Sequence, residues 1–190
     1  MRREGRIAVR KADLSQWDRE VSLAKEVYNS AWERNWDYIP ITDAEVNYMA
    51  AGLRKIVDAD LVFIAEDEGK AVGVTVALPD VNETLLRVYP KPGGFWRYAY
   101  DGLRFLWAKR KRPRLFRQFM MGVVESHRNR GIDACFYVET ARSALAKGYR
   151  QCEMSLILES NVMMNRITQR LGGQLYKTYR IYDRRLGPAQ

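Results

Sequence analysis

The chain has 190 residues, 47% of them apolar, with a formal net charge of +9, two cysteines and one histidine. This length and composition suffice for one domain with its own core. No apolar run is long enough to span a bilayer, and the charged start MRREGRIAVRK lacks the apolar segment of a secretory signal. Because His127 is the only imidazole and no CxxC pair occurs, a Cys/His metal site is nearly excluded, and a serine or cysteine triad lacks a suitable base.

The cysteines and the charge indicate a compartment and a class of partner. Cys135 and Cys152 suit buried, reduced thiols of a cytoplasmic protein better than a disulfide framework. The positive net charge predicts an anionic partner, which could be a phosphorylated cofactor, a nucleic acid or an acidic membrane surface. Much of this charge lies in one segment, at Arg104, Lys109, Arg110, Lys111, Arg112, Arg114 and Arg117.

The first part of the chain predicts a strand, two helices and a hairpin. A short strand is expected at Arg6 to Arg10, and Asp13 can cap a helix that runs to about Arg34. A second helix is expected to begin at Thr42, where TDAE has the form of a capping box. Two β-rich runs then flank a short turn at Glu68, which predicts a β-hairpin.

The rest of the chain begins with an insert at about 80–114, in which aromatic and aliphatic residues recur at roughly helical spacing before a basic end. A strand (Leu115 to Val124), a basic loop and a helix from about Asp133 to Lys147 follow. CEMSLIL predicts a strand, NVMMNRITQRLGG a short helix and QLYKTYRIYDRRL a final strand. A strand that feeds a helix and then another strand requires a crossover, so the sheet is expected to be mixed.

The loop HRNRGIDA lies where a predicted strand ends and a predicted helix begins. A helix start offers free N–H groups and about half a positive charge, which together favour anions. Arg128 and Arg130 could add charge-assisted hydrogen bonds to a phosphate, and Gly131 would let the backbone approach the ligand closely. The alternative is a solvated connection in which the glycine only satisfies turn geometry, and loop chemistry alone leaves both open.

The stretch VVESHRNRGIDA resembles the acyl-CoA loop of the GNAT superfamily of acyltransferases. That pattern is Arg or Gln, two residues, Gly, one residue, then Gly or Ala, and Arg128, Gly131 and Asp133 occupy its positions. A second part of the superfamily pattern resembles the segment from Asn161 to Gly172, in which an asparagine precedes a short helix that ends in RLGG. The predicted order of elements is also that of the superfamily.

This resemblance extends from about Ile7 to Leu186 and implies an α/β (α+β) fold, with a mixed, mostly antiparallel central sheet and helices on both faces. It implies one GNAT-like domain over residues 1–190 with a basic aromatic insert at about 80–114. The segments AWERNW and YKTYRIYDRRL further resemble a bacterial subgroup with an additional N-terminal half. The chain is therefore expected to correspond to the C-terminal half of a longer architecture.

The implied function is N-acyl transfer from acetyl-CoA or another acyl-CoA to a small-molecule or peptide amine, by direct attack in a ternary complex. The Met121 N–H is expected to face the thioester oxygen, a donor worth ~3 kcal/mol in the transition state. Glu159 is the candidate general base, with no metal required. The implied cofactor-binding residues are Met121, Val123, Arg128, Asn129, Arg130, Gly131, Ile132, Asp133, Ala134 and Asn161, and the implied acceptor pocket contains Trp32, Asn35, Trp36 and Tyr38.

Two positions depart from the superfamily pattern. Asp133 replaces the usual Gly or Ala, so its carboxylate either caps the helix from the side or competes with a pyrophosphate for the N–H groups. Thr168 stands where a tyrosine often protonates the leaving thiolate, although Tyr176, Tyr179 and Tyr182 could supply an acid. These departures leave open a catalytically inactive GNAT-like module that binds a ligand or another domain. His127 is expected to be an exposed loop residue.

The insert leaves three alternatives open. RFLWAKRKRPRLFR interleaves aromatic and basic residues, which could bind nucleic acid by phosphate contacts and stacking. It could also lie on an anionic membrane with its aromatic residues inward and its cations at the headgroups. The third alternative is a surface helix that packs its aromatic residues on the domain or on a second copy in a homodimer, with a solvated basic end.

Overall fold

The computed structural model of the chain describes residues 7–33, 38–89, 92–108 and 113–182. The chain divides into two compact units, Met1–Ser155 and Leu156–Gln190. All five strands found in the described residues belong to the first unit, and the second unit contains one short helix. The expectation of a single domain over residues 1–190 stays a prediction.

The first unit is built on one mixed sheet whose strands follow the order β1-β2-β3-β4-β5. Each strand pairs antiparallel with its neighbour except β4 and β5, which run parallel. The predicted mixed, mostly antiparallel sheet is therefore confirmed. The strands are β1 (Ala8–Lys11), β2 (Val62–Asp67), β3 (Lys70–Pro79), β4 (Leu115–Val123) and β5 (Gln151–Met154).

Six α-helices occur in the described ranges: α1 (Trp17–Trp32), α2 (Asp43–Leu53), α3 (Val81–Val88), α4 (Phe95–Ala108), α5 (Ile132–Ala146) and α6 (Val162–Arg170). None of these helices combines the length and apolar character needed to cross a membrane. The predicted insert is the segment that contains α3 and α4, which pack on each other.

Local chemistry explains several element boundaries. Thr42 Oγ1 accepts a hydrogen bond from the Glu45 amide at 3.3 Å, and the Glu45 carboxylate accepts one from the Thr42 amide at 2.9 Å. This reciprocal arrangement is the predicted capping box of α2. In the β2–β3 hairpin, Glu68 (φ 49°) and Gly69 (φ 80°) both adopt left-handed backbone, the geometry of a tight hairpin turn.

Helices cover both faces of the sheet, as predicted. On one face, α1 places Val27 and Ala31 against Ile64 and Val74, which are also buried. On the other face, α5 contributes Ile132 and Phe136 to a cluster with Phe63, Ala65 and Val72. Adjacent strand residues point to opposite faces, so Ile64 lies under α1 while its neighbours lie under α5.

Two expectations differ from the structure. Residues 174–182 contain no strand, although their alternating pattern predicted one. No strand in the described ranges pairs with this segment, and alternation stabilises a strand only where a partner supplies hydrogen bonds. Cys135 and Cys152 are free, but both residues are exposed rather than buried. For Cys135 the reason is that α5 turns Ile132 and Phe136 towards the core instead.

Candidate active site

The first feature of the site is an edge of β4 that β5 leaves open. Strand β5 pairs with β4 only from Leu115 to Gln118, whereas β3 pairs with β4 up to Val123. Within the described residues, the part of β4 from Phe119 to Val123 therefore has no strand on its β5 side. The register with β3 shifts at the same level, between Val76 and Ala77. A ligand with amide groups could occupy this edge as an added strand would.

The direction of the backbone groups follows from one measured bond. The Val124 amide donates to the Val72 carbonyl at 2.9 Å, so this N–H points towards β3. Successive N–H groups of a strand alternate in direction. The N–H groups of Met121 and Val123 consequently point to the open edge, which is the orientation that the predicted cofactor contacts require.

A buried polar side chain lies beside the register shift. Gln118 Nε2 is within hydrogen-bond distance of Thr75 Oγ1 (2.8 Å), the Met120 carbonyl (2.9 Å) and the Val76 carbonyl (3.2 Å). Gln118 and Thr75 are both buried. The network ties the two sides of the shift together and so supports the point where β4 and β5 separate. Sequence reasoning did not identify this pair, although a glutamine within an apolar strand is a usable signal.

The loop after β4 prepares the start of α5. Asn129 (φ 61°) and Gly131 (φ 78°) adopt left-handed backbone, and α5 begins at Ile132. The first intrahelical bond runs from the Cys135 amide to the Gly131 carbonyl, at 3.1 Å. The amides of residues 132–134 therefore have no acceptor within the helix. Together with the helix dipole they form an arrangement suited to a phosphate group.

Arg128 connects the loop to α1 through its side chain. Its Nε donates to the Val123 carbonyl at 3.2 Å, and a terminal guanidinium nitrogen donates to the Ala31 carbonyl at 2.7 Å. The guanidinium is thus bonded to two carbonyls, one at the end of β4 and one in the last turn of α1. Asn129 and Arg130 are exposed beside it. The predicted phosphate contact of Arg128 stays a prediction.

Asp133 lies in the first turn of α5, where the carboxylate departs from the superfamily pattern. The N-cap residue is Gly131, which has no side chain that could cap the helix. The charge of Asp133 acts on the next turn. Burial raises the pKa of Tyr137 to about 12, and the negative charge of Asp133 contributes to that rise. Both alternatives for Asp133, capping from the side and competition with a pyrophosphate, stay predictions.

His127 is not the exposed loop residue expected from the sequence. Its Nε2 lies 3.0 Å from Asp67 Oδ2, and its Nδ1 lies 2.9 Å from Ser126 Oγ. Both the histidine and the aspartate side chains are largely buried. The sequence could not reveal this pairing because Asp67 ends β2, and only the strand order brings it beside the end of β4. His127 fixes the loop to the β2–β3 hairpin.

An aromatic cluster lies against β4 at Gly122. The Trp32 ring stacks on Tyr28 with 4.9 Å between centroids, and Tyr38 lies 6.1 Å from Tyr28. The Trp32 ring also covers Gly122 of β4, where a Cβ atom would lie 2.2 Å from it. Trp32 and Tyr38 of the predicted acceptor pocket are thus brought together, and Tyr28 joins them. Asn35 and Trp36 lie outside the described residues.

Tyr38 is held by the neighbouring helix. Its hydroxyl donates to the Asn29 carbonyl at 3.0 Å, and the Asn29 side-chain oxygen accepts from the Ile41 amide at 3.1 Å. Desolvation and the nearby Tyr28 and Glu33 raise the pKa of Tyr38. Asn29 therefore fixes the chain after α1 as it turns towards α2.

The second unit carries the remaining predicted residues. Asn161 caps α6, and its side chain accepts from the Met164 amide at 3.2 Å. Glu159 is exposed and accepts a hydrogen bond from Arg180, which lowers the pKa of the carboxyl. A lowered pKa makes a carboxylate a weaker base. The Thr168 hydroxyl donates to the Met164 carbonyl at 2.9 Å. The roles predicted for Glu159 and Asn161 stay predictions.

No protein-family model matches the chain. The chain is 35% identical over 185 residues to the bacterial ceramide synthase of Caulobacter vibrioides (strain NA1000 / CB15N). The matched region covers 95% of this chain and 47% of the relative. It is 28% identical over 191 residues to protein YghO of Escherichia coli (strain K12), over 95% of this chain and 46% of that protein. The chain thus spans about half the length of these curated relatives.

Solved structures provide the comparison of folds. The aminoglycoside N-acetyltransferase AAC(6')-Iy in complex with CoA superposes with a TM-score of 0.59 at 15% identity, over 98% of this chain and 99% of that one. The polyamine N-acetyltransferase of Drosophila melanogaster superposes with a TM-score of 0.58 at 19% identity, over 97% of this chain and 90% of that one. The chain therefore has the fold of the GNAT superfamily of acyltransferases, as the sequence resemblance predicts.

Proposed function

We propose that this chain is the acyltransferase portion of a CoA-dependent N-acyltransferase. The observation that carries the proposal is the open edge of β4, which leads directly into the uncapped N-terminus of α5 at Gly131. An acyl-CoA molecule has amide groups along one arm and a pyrophosphate at its end. Strand-like backbone groups followed by free helix N–H groups match both features in the same order.

In this proposal the chain contributes mainly by positioning. Backbone groups of Met121 and Val123 hold the amides of the pantetheine arm, and the N–H groups of residues 131–134 hold the pyrophosphate. For Val123, the carbonyl must be released by Arg128, which now bonds to it. The Met121 N–H is the donor for the thioester oxygen, a contribution of ~3 kcal/mol when the donor is preorganised.

The reaction joins the acceptor nitrogen to the acyl carbon while the bond from that carbon to sulfur breaks. One proton leaves the nitrogen and one proton is required by the departing thiolate. We assign removal of the proton from the nitrogen to Glu159, directly or through water. This role requires that Arg180 release the carboxylate, because the bond to Arg180 lowers the pKa of Glu159 and so weakens it as a base. The aromatic cluster of Tyr28, Trp32 and Tyr38 is the proposed wall of the acceptor pocket.

The acceptor is proposed to be a lipid amine and the donor a long-chain acyl-CoA. A ceramide is the amide of a fatty acid with a long-chain amino alcohol, so the name of the Caulobacter vibrioides relative describes formation of an N-acyl bond. The structural neighbours carry names of amine acetyltransferases, which supports the same bond with other partners. The relative is about twice as long as this chain, so these substrates are proposed for the longer architecture.

Two glycine variants test cofactor binding. Gly131 (φ +78°) and Gly69 (φ +80°) share the left-handed backbone, and an added Cβ would contact nothing within 4 Å at either position. Alanine should therefore cost both variants a similar free energy of unfolding, about 1 kcal/mol. Only Gly131→Ala should weaken CoA binding in isothermal titration calorimetry, by about tenfold or more, because its methyl group projects where the backbone meets the pyrophosphate.

The results of these measurements distinguish an active acyltransferase from an inactive ligand-binding module and from a chain without this cofactor site. No heat with millimolar CoA, or equal CoA affinity for the two variants, would overturn the proposed cofactor site. A release assay for free CoA thiol, with palmitoyl-CoA or acetyl-CoA and either a long-chain amino alcohol or a polyamine, tests the chemistry. CoA binding without thiol release in any combination would identify the chain as an inactive ligand-binding module.

A further inference from the structure

Helix α4 turns its charged side towards the protein and its apolar side towards water. Asp101 is only 5% exposed and bonds to Arg97 at 3.0 Å and to Arg104 at 3.5 Å. These positions lie at intervals of four and three residues, so they form one face of the helix. A water-soluble helix normally shows the reverse arrangement.

The opposite face of α4 is a continuous apolar surface. Trp96 is 83% exposed, and its neighbours on the helix surface are exposed as well. This face, referred to below as the α4 face, consists of Phe95, Trp96, Leu103, Leu106 and Trp107. At 1.5 Å per residue, the 14 residues of α4 form a helix about 21 Å long. Such an exposed patch marks an interaction surface.

The charge that surrounds and follows α4 in the sequence indicates what covers the α4 face. Residues 95–117 contain eight Lys or Arg and a single Asp, which is seven of the nine net positive charges of the chain. Lys109, Arg110, Lys111 and Arg112 follow the last residue of α4 directly in the sequence. Exposed Trp, Phe and Leu in a segment rich in Lys and Arg are the composition of helices that lie in the headgroup region of anionic membranes.

Two other occupants fit less well. In a twofold dimer the same patches meet, so the face of a second copy would bring two strongly basic segments close together. A nucleic acid would need cations among the aromatic residues of the α4 face, whereas Arg97 and Arg104 bond to Asp101 and lie near the ring of Tyr100, outside that face. A bilayer offers an apolar interior for the rings and negative headgroups for the cations.

We propose that the α4 face docks on the surface of an anionic membrane, with α4 parallel to the plane of the bilayer. Leu103, Leu106 and the two tryptophans enter the boundary between headgroups and acyl chains. Tyr98 and Tyr100, which are also exposed, lie at the flanks, where a ring with a polar tip is stable. The inference rests on α4 and on the basic residues that follow it in the sequence, and it does not require that the chain bind CoA.

The test is sedimentation of the chain with vesicles made of equal parts phosphatidylglycerol and phosphatidylcholine, compared with pure phosphatidylcholine. The double variant Leu106→Ser/Trp107→Ser should reduce binding to the anionic vesicles by about tenfold or more. Its matched control is Val138→Ser/Leu145→Ser, which removes two exposed apolar side chains of α5 and should leave binding unchanged. Replacing residues 109–112 by alanine should abolish the preference for phosphatidylglycerol.

Each other result overturns the proposal. Failure to sediment with anionic vesicles at about 0.1 M salt, where surface charge is only partly screened, excludes membrane docking. Equal binding by the two double serine variants does the same. Tighter binding to single-stranded DNA that survives Leu106→Ser/Trp107→Ser assigns the basic segment to nucleic acid. Concentration-dependent dimers lost in that variant, without vesicle binding, assign the α4 face to a second copy. CoA calorimetry on the same variant remains an independent measurement.

Discussion

Helices α1 and α4 are similar in length, with 16 and 14 residues, but they face the protein with opposite sides. Helix α1 buries Val27 and Ala31 against the sheet. Helix α4 buries Asp101 and exposes its largest apolar side chains. Both sequences are amphipathic, and the helices differ in what their apolar sides face. Helix α1 covers a sheet, whereas the apolar side of α4 is available for a partner outside the chain.

The comparison also concerns what each helix does for the site. Helix α1 brings Trp32 onto Gly122 and gives its Ala31 carbonyl to Arg128, so its packing shapes the candidate site. Helix α4 contributes none of the predicted cofactor or acceptor residues. The first helix therefore should be sensitive to small changes of volume, and the second should tolerate them.

The largest effect is expected for Gly122→Ala. The added methyl carbon would lie 2.2 Å from the Trp32 ring and 3.1 Å from Ala31 Cβ, so the ring, α1 or both have to move away from β4. Overpacking of this kind should lower the free energy of unfolding by about 3 kcal/mol in urea denaturation. The matched control is Gly102→Ala in α4, where nothing lies within 4 Å. The control should be neutral or gain up to about 1 kcal/mol from helix propensity, and equal losses in both variants would contradict the comparison.

A second pair removes apolar volume from each helix. Val27 is 1% exposed and Leu106 is 62% exposed. Val27→Ala should cost about 2 kcal/mol, from lost burial and the cavity that remains. Leu106→Ala deletes more atoms but should change the free energy of unfolding by less than about 0.5 kcal/mol in the absence of lipid. Thermal and urea denaturation measure both. A loss above 1 kcal/mol for Leu106→Ala would mean that the α4 face is already covered in solution.

The smallest effect is expected for the buried charge of α4. In Asp101→Asn the amide keeps an acceptor but loses its charge-assisted bonds to Arg97 and Arg104. Because both arginines are more than a third exposed, the loss should be about 1 kcal/mol. Its control is Glu26→Gln on the exposed side of α1, which should change stability little. Hydrogen exchange of α3 and α4 locates the effect, and unchanged protection there would show that the bonds of Asp101 do not stabilise α4.

Local signals in the sequence predicted most element types correctly. The capping box at Thr42, the turn at Glu68 and Gly69, and the glycine that precedes α5 each act within a few residues, so the sequence contains both partners of the interaction. The prediction of the final strand was wrong because a strand depends on a neighbouring strand as a hydrogen-bond partner, and the sequence does not specify that partner. Residues 174–182 carry the alternation but no strand.

The candidate site was predicted where it is local and missed where it is not. Strand β4, the loop and the start of α5 are consecutive, and the motif indicates all three. The contacts that shape them join residues far apart in the chain: Trp32 with Gly122, His127 with Asp67, and Gln118 with Thr75. None of these pairs has a pattern in sequence, because each depends on strand order and helix packing.

By itself, the sequence determined the basic aromatic insert, the order of elements up to α6 and the glycine-bearing loop before α5, since spacing and residue type carry that information. The tertiary structure decided where β5 leaves β4, which opens the edge at Met121 and Val123. It also decided which side of α4 faces water. Helical periodicity divides a helix into two faces, but only the packing of the rest of the chain selects the face that is buried. In α1 that selection builds a core, and in α4 it exposes a surface.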